Sequence, residues 1–287
     1  MKIGLSSYSL FSEIQSGQMT IFDIINWIAE HGGEHIEIVP LGYSLVENPS
    51  LAEEIVQRAK EAGIEISNYA IGANFITNDE EAYQAEIMRV KKEVDIAHRL
   101  GVTLMRHDVA WRSILESSIM QYEEDLPRLV HACQEVADYA IQYGITTSVE
   151  NHGFFIQASD RVLRLLDLVN RPNFKTTMDI GNFMCVDEDP IAAVKKNISH
   201  ASMLHIKDFY LRPSDENPGE GWFQTTSGNY LRGSIVGHGD IPIRKILNIV
   251  KESGYDGYLS IEFEGMENSR KGSQISLDNV RRLWSEL

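Results

Sequence analysis

Short apolar runs alternate with segments of helical periodicity about eight times along this chain. That rhythm constrains the fold more than any single residue does. The runs over 2–7, 35–40, 64–71, 103–107, 146–150, 174–179, 202–207 and 258–263 read as strands. Most are continuously apolar, as parallel strands covered on both faces are. The stretches 21–30, 50–63, 79–100, 118–143, 159–169, 190–199 and 242–253 read as helices, and 277–287 reads as a closing helix. Residues 8–18 read as a loop. Ser50-Leu-Ala-Glu53 matches a capping box, and Gly63, Gly101 and Gly144 mark helix ends. Eight such units predict an α/β chain folded as one (β/α)8 TIM barrel domain over 1–287. The alternative, an open doubly wound sheet, calls for a glycine-rich phosphate loop after the first strand. Ser6-Ser-Tyr-Ser-Leu10 lacks that fingerprint.

One connection breaks the rhythm. The stretch from about 212 to 239 is polar, with glycines at 219, 221, 228, 233, 237 and 239. It is too long for a turn, and an active-site lid is the expected role.

Four of the runs end on residues that bind metals. Glu150 ends Thr147-Ser-Val-Glu, Asp179 ends Thr176-Thr-Met-Asp, His205 ends Ser202-Met-Leu-His, and Glu262 ends Tyr258-Leu-Ser-Ile-Glu. In a barrel the C-terminal ends of all strands meet on one face. Consecutive strands five to eight would each supply one ligand at similar height. Mixed carboxylate and imidazole ligands suit Mn²⁺, Mg²⁺, Co²⁺, Fe²⁺ or Zn²⁺, and three carboxylates shift the balance toward Mn²⁺. An octahedral ion with four protein ligands keeps two positions open, enough for a sugar carbonyl and its neighbouring hydroxyl. Such an ion acidifies the adjacent C–H, and carboxylates on either side can remove and return the proton. That is aldose–ketose isomerase or ketose epimerase chemistry. Any one of these residues alone reads more simply as a cap, an ion pair or a structural histidine. The signal lies in the four together, because charge at the end of an apolar run is costly when uncompensated.

Charge narrows the partners. The formal net charge is -16, and no dense Lys/Arg run appears. Neither nucleic acid nor an anionic membrane is expected as a partner. The N-terminus lacks the apolar core of a signal peptide, and no apolar run is long enough to span a bilayer, so a cytoplasmic location is expected. Cys133 and Cys185 read as two free thiols.

The motifs Ser148-Val-Glu150-Asn, Met178-Asp179-Ile-Gly181, His205-Ile-Lys207-Asp208, Gly237-His-Gly239-Asp240 and Ser260-Ile-Glu262 resemble the xylose-isomerase-like TIM-barrel superfamily. The likeness spans almost the whole chain and is strongest from Thr146 to Gly265. It is greatest to the sugar-phosphate isomerase/epimerase group, which includes ketose 3-epimerases. The resemblance implies one divalent metal ion at Glu150, Asp179, His205 and Glu262. It implies that Glu150 and Glu262 also act as acid and base across a cis-enediolate. A sugar or polyol substrate, phosphorylated or not, and a homodimer or homotetramer are implied too. The chain departs from the family pattern at Asn182, where a histidine is common, and at Ile156 and Gln157, where a glutamate is common. It departs again at His238, where an acid is common. These changes bear on the substrate and leave the ligand set intact.

Further residues are candidates for substrate contact. Arg106 and His107 end strand four, and His107 can reach a substrate oxygen. His152 follows Glu150, Asn182 follows Asp179, and Lys207 alternates with His205. Arg212 can hold a hydroxyl or a phosphate. Tyr8, Trp111 and Trp222 can wall a sugar face, with ordinary packing as the competing role. Glu37 and Glu264 sit in strands whose facing is open at this point. Other outcomes on the same scaffold are a keto-inositol or polyol dehydratase, a phosphodiester hydrolase of the endonuclease branch, and a non-catalytic sugar-binding barrel. The hydrolase needs a histidine-richer multi-metal site and a basic track, against which Asn182 and the charge both count.

Overall fold

The computed structural model describes all of residues 1–287. In chain order the elements are β1 (Lys2–Ser6), α1 (Phe11–Gln15), α2 (Ile21–Glu30), β2 (His35–Ile38), α3 (Ser50–Ala62) and β3 (Glu65–Ile71). They continue with α4 (Glu80–Arg99), β4 (Leu104–His107), α5 (Ile119–Ala140), β5 (Thr146–Glu150), α6 (Ser159–Val169) and β6 (Phe174–Asp179). The last are α7 (Pro190–Asn197), β7 (Ala201–Ile206), β8 (Asp208–Arg212), β9 (Phe223–Gln224), β10 (Tyr230–Ser234), α8 (Ile243–Glu252), β11 (Tyr258–Ile261) and α9 (Ser269–Ser285). Eight strands close in the order β1-β11-β7-β6-β5-β4-β3-β2, every pair parallel. This is the (β/α)8 barrel that the alternation predicts.

The expectations differ from the structure in four places. Residues 8–18 are largely helical: a 3-10 turn over Ser7–Leu10 runs into α1. The closing helix starts at Ser269, eight residues before the expected 277, because Asn268 caps it through a bond from Lys271 N to its Oδ1. The capping box at Ser50 does not form. Ser50 is already inside α3, and its hydroxyl donates to Asn48 instead. A capping box does form where none was expected, between Thr20 and Asp23 at the start of α2. There each residue's side chain satisfies the other's free N–H.

The expected insertion is an ordered antiparallel ribbon, β8-β10-β9, outside the barrel. Two carboxylates fasten it. Asp187 accepts from Thr225 Oγ1, Thr226 Oγ1, Ser227 N and Asn229 Nδ2, at 2.7 to 2.9 Å. Asp208 sits where the chain leaves the barrel. Its Oδ1 accepts from Phe209 N and Ile241 N, and its Oδ2 from Gly237 N and Gly239 N, at 2.8 to 3.2 Å. A Cβ on Gly239 would lie 2.3 Å from Asp208 Oδ1, so the Gly237-His-Gly239 motif is shaped to wrap this carboxylate. Asp208→Asn turns one acceptor oxygen into a donor facing two N–H groups. The expected loss of unfolding free energy in urea is about 3 kcal/mol. A variant within about 0.5 kcal/mol of the parent would remove this role from Asp208.

Apolar side chains fill the layer between barrel and helices. Ile24, Ile25 and Ile28 of α2, and Leu129, Val136 and Ala140 of α5, are fully buried in it. The barrel interior is different, being lined with polar groups that include Glu37, Asn68, Ser148, Thr177, His205 and Ser260. Glu37 of β2 and His205 of β7 lie three strands apart in the ring, yet they touch, so both point inward.

Candidate metal centre

The ends of β5, β6 and β7 and the residue after β11 bring Glu150, Asp179, His205 and Glu262 together. One ligand atom from each lies within 4.8 Å of the others. Two ligands opposite one another across a ~2.1 Å coordination shell stand ~4.2 Å apart, so the cluster needs little contraction to hold one ion. All four residues are buried.

The surrounding bonds aim each ligand. Glu37 Oε2 and Oε1 lie 2.8 and 3.0 Å from His205 Nε2. Glu37 is itself held by Asn68 Nδ2 at 2.8 Å and Ser260 Oγ at 3.2 Å. His205 Nε2–H therefore donates to Glu37, and Nδ1 faces the cluster, 3.4 Å from Glu150 and 3.7 Å from Glu262. Asp179 Oδ1 accepts from Gly181 N and Asn182 N, which leaves Oδ2 for the cluster. Asn151 bonds both the N–H and the carbonyl of Asp179 at 2.8 Å. These two hydrogen bonds tie the end of β6 to the residue that follows β5.

Three buried atoms of these ligands make no hydrogen bond: Glu150 Oε2, Asp179 Oδ2 and His205 Nδ1. Lys207 Nζ is 3.2 Å from Asp179 Oδ2 and forms an ion pair without the alignment of a hydrogen bond. Arg106 pairs with Glu150 Oε2 in the same way. Buried polar atoms are seldom left unbonded, and a cation held by the cluster would satisfy Asp179 Oδ2 and His205 Nδ1. The residues fit a divalent ion.

Charge balance in the cluster is uneven. Burial opposes the charged form of Glu150, yet Arg106 and His205 hold its carboxyl well below the usual range. Burial pushes Asp179 and Glu262 up, against the pull of Lys207. Burial also opposes charge on His205, but Glu37, Glu262 and Glu150 hold it well above its ordinary value. Lys207 Nζ is 2.7 Å from Glu262 and 3.4 Å from Glu264, and these carboxylates with Asp179 keep it charged despite burial. Burial is the larger effect on Glu262, and the neighbouring Glu150 and Glu264 add to its rise.

The other sequence candidates divide. Asn182 donates to Glu150 Oε1 at 3.2 Å, and its Oδ1 is 3.4 Å from Lys207 Nζ, so both residues belong to the cluster's edge. Gln157 donates to Asn182 O at 2.7 Å and props that residue from behind. Trp111 and His152 stand half-exposed at the mouth of a cavity of about 490 Å³ whose lining includes Asn182, Lys207 and Glu264. Tyr8 lies deeper, beside Glu264, and burial and that carboxylate push its phenol up. Cys133 and Cys185 are both free and buried. Cys185 lines the cavity, and burial pushes its thiol up to about 12.

Two candidates lie elsewhere. His107 packs outward, edge-on to Phe75, with its Nδ1 on Asp108 O, so it does not reach the site. Its neighbour Arg106 does. Arg106 registers with Ser148 on β5, on the face that carries Glu150. Arg212 sits half-exposed on the ribbon, 3.6 Å from Asp240 and stacked on Trp222, and lines neither cavity beside the cluster. Glu37 was open in the sequence, and its fixed role is to orient His205. Strand parity finds Arg106 and Glu37 only once the register is known.

Known proteins share this architecture. The chain is 22% identical over 158 residues to the inosose dehydratase of Clostridium perfringens, a match covering 53% of this chain and 51% of that protein. The match thus spans about half the length of that relative. The crystal structure of the IolI protein with a bound zinc atom superposes with a TM-score of 0.77 at 19% identity, over 100% of this chain and 99% of that one. D-psicose 3-epimerase with D-tagatose, from Clostridium cellulolyticum H10, superposes with a TM-score of 0.75 at 17% identity, over 99% of each chain. At such identities these superpositions bear on the fold. No helix is long and apolar enough to cross a membrane. A family match over residues 25–283 covers most of the barrel, and the chain belongs to the xylose isomerase-like TIM barrel family.

Proposed function

We propose that the protein is a divalent-metal-dependent isomerase or epimerase of a ketose or keto-polyol, moving a proton on the carbon beside a carbonyl. The observation that carries this reading is the convergence of Glu150, Asp179, His205 and Glu262, with three of their buried atoms unbonded. An ion in this ligand set supplies Lewis-acid polarisation of a carbonyl and its neighbouring hydroxyl. The rest falls to the chain. Glu150 and Glu262 come from strands separated by β6 and β7, so they approach a bound substrate from two sides. One carboxylate takes the proton from carbon, and the other delivers one to the opposite face. Arg106 and Asn182 fix Glu150, Glu37 fixes His205, and Lys207 offers an ammonium to a substrate oxygen. Trp111 and Phe223 line the cavity above them.

A second reading is dehydration of a keto-polyol. The inosose dehydratase relative favours it, as does the Lys207 ammonium 2.7 Å from Glu262, which can protonate a departing hydroxyl. Proton removal by a carboxylate is common to both readings.

One experiment separates them. D-fructose, D-psicose, D-tagatose and an inosose are incubated in D₂O with the protein and Mn²⁺, Mg²⁺, Co²⁺ or Zn²⁺, and followed by NMR. Deuterium on a carbon beside the carbonyl of an epimer or isomer supports the first reading. Loss of water supports the second. Absence of both with every ion and substrate rejects the shared chemistry. Exhaustive chelation should lower the active reaction at least ~100-fold, with recovery on adding the ion back. Activity that persists through chelation rules out the metal.

A further inference from the structure

Arg232 has no oxygen acceptor. Every other arginine pairs with a carboxylate or, in Arg161, donates to two carbonyls. The Nε of Arg232 is buried without a partner, and its one hydrogen bond is a weak contact from Nη1 to Met266 Sδ at 4.0 Å. In a chain of net charge -16, an arginine left unpaired runs against the composition.

The guanidinium is nevertheless held in place. On β10, Arg232 registers with Tyr210 of β8, and it stacks 4.8 Å from the Tyr210 ring and 5.5 Å from the Trp222 ring. Stacking fixes the plane and leaves the in-plane N–H edge free for a ligand. That residue lines a cavity of about 600 Å³ together with Tyr8, Phe209, Phe223, Glu264 and Met266. Phe209, Phe223 and Glu264 also line the cavity of about 490 Å³ that contains Asn182 and Lys207. The two spaces adjoin, and each has the size of a small-molecule site. A substrate reacting over the metal cluster can extend past the two phenylalanines toward Arg232.

Two carboxylates share this lining, Glu264 and Glu267. Neither lies within 4.0 Å of the guanidinium, since no ion pair of Arg232 forms. Glu264 is instead engaged by Lys207 at 3.4 Å, and Glu267 is exposed. Arg232 keeps its charge for something the protein does not supply. A planar fork of donors fits a carboxylate or phosphate group through two parallel bonds.

We propose that Arg232 is a specificity-determining residue that binds an anionic group, carboxylate or phosphate ester, at the end of the substrate remote from the reacting carbons. This rests on the enolising chemistry proposed above, and it moves to Arg232 the phosphate-holding role that the sequence suggested for Arg212.

The test uses the full-length protein loaded with Mn²⁺. Calorimetry measures binding of D-fructose, D-fructose 6-phosphate and the keto-hexuronate D-fructuronate to the parent, Arg232→Met and Arg232→Lys. Deuterium exchange in D₂O is read on the same sugars. At least one charged sugar should bind tenfold or more tighter than D-fructose, and which one does distinguishes phosphate from carboxylate. Arg232→Met should abolish that advantage and leave D-fructose binding unchanged, while Arg232→Lys should keep part of it. Where exchange occurs, the loss should fall on KM, with kcat changing less than threefold. Equal binding of charged and neutral sugars by the parent overturns the proposal, as does an advantage that survives Arg232→Met. Tight binding of a charged sugar without any exchange leaves the Arg232 site standing and defeats the enolising function instead.

Discussion

Glu262→Gln should lower turnover on the order of 10³-fold and leave the barrel folded, because glutamine keeps the shape of the side chain and cannot accept a proton. Glu150→Gln should do the same to turnover, with an added cost in stability. Glu150 is the closest carboxylate to the buried Arg106, which would keep only Asp108, 3.3 Å away. Glu262 has no such dependent. Its cation, Lys207, retains Asp179 at 3.2 Å and Glu264 at 3.4 Å. Glu262→Gln is therefore the cleaner probe of chemistry, and Glu150→Gln tests chemistry and packing together. Kcat is measured for both at saturating metal, beside metal content and a circular dichroism melt. Parent-like turnover in either variant, with metal bound, removes that glutamate from proton transfer. A variant that loses turnover because it no longer holds the ion shows instead that the ligand role dominates.

Much of this site was legible in the sequence, because its ligands stand at the C-terminal ends of apolar runs. A charge placed there has no partner within its own strand, so the chain must compensate it by tertiary structure. Glu150, Asp179, His205 and Glu262 follow from that single argument. The groups that steady them do not. Choosing between Arg106 and His107 depends on a one-residue parity, and parity depends on register, which no spacing in the sequence reveals. Glu37 lies on β2, 168 positions from His205, and only closure of the barrel brings the two together. How the lid-like insertion is anchored escapes the sequence for a related reason. Its glycines do mark a special backbone, but two of them, Gly237 and Gly239, serve to wrap the Asp208 carboxylate. Arg212 and Arg232 look alike as ribbon arginines. Asp240 and the stacking partners decide which one is spent on the protein and which is left for a ligand.

Lys207→Met should show how the cluster is balanced without its ion. Lys207 is the one ammonium among Asp179, Glu262 and Glu264, and it is almost wholly buried. Removing it strands buried carboxylates, a change that typically costs about 3–5 kcal/mol. For a chain of this size that is on the order of a 10 °C fall in Tm at pH 7.5 for the metal-free protein. The loss should shrink on acidification. Without the ammonium, the folded-state pKa values of Asp179 and Glu262, already raised by burial, rise further above their unfolded values. A carboxyl raised in the fold favours folding as it takes up its proton and disfavours it as pH climbs through the raised value. The variant should thus approach the parent near pH 5 and fall away from it toward pH 7.5. Adding Mn²⁺ at pH 7.5 should raise the Tm of Lys207→Met more than that of the parent, because a divalent ion restores the charge that the variant lacks. Equal metal-induced shifts in the two proteins, or a deficit that does not change between pH 5 and 7.5, would mean that Lys207 does not balance these carboxylates. Its place would then be to meet the substrate alone.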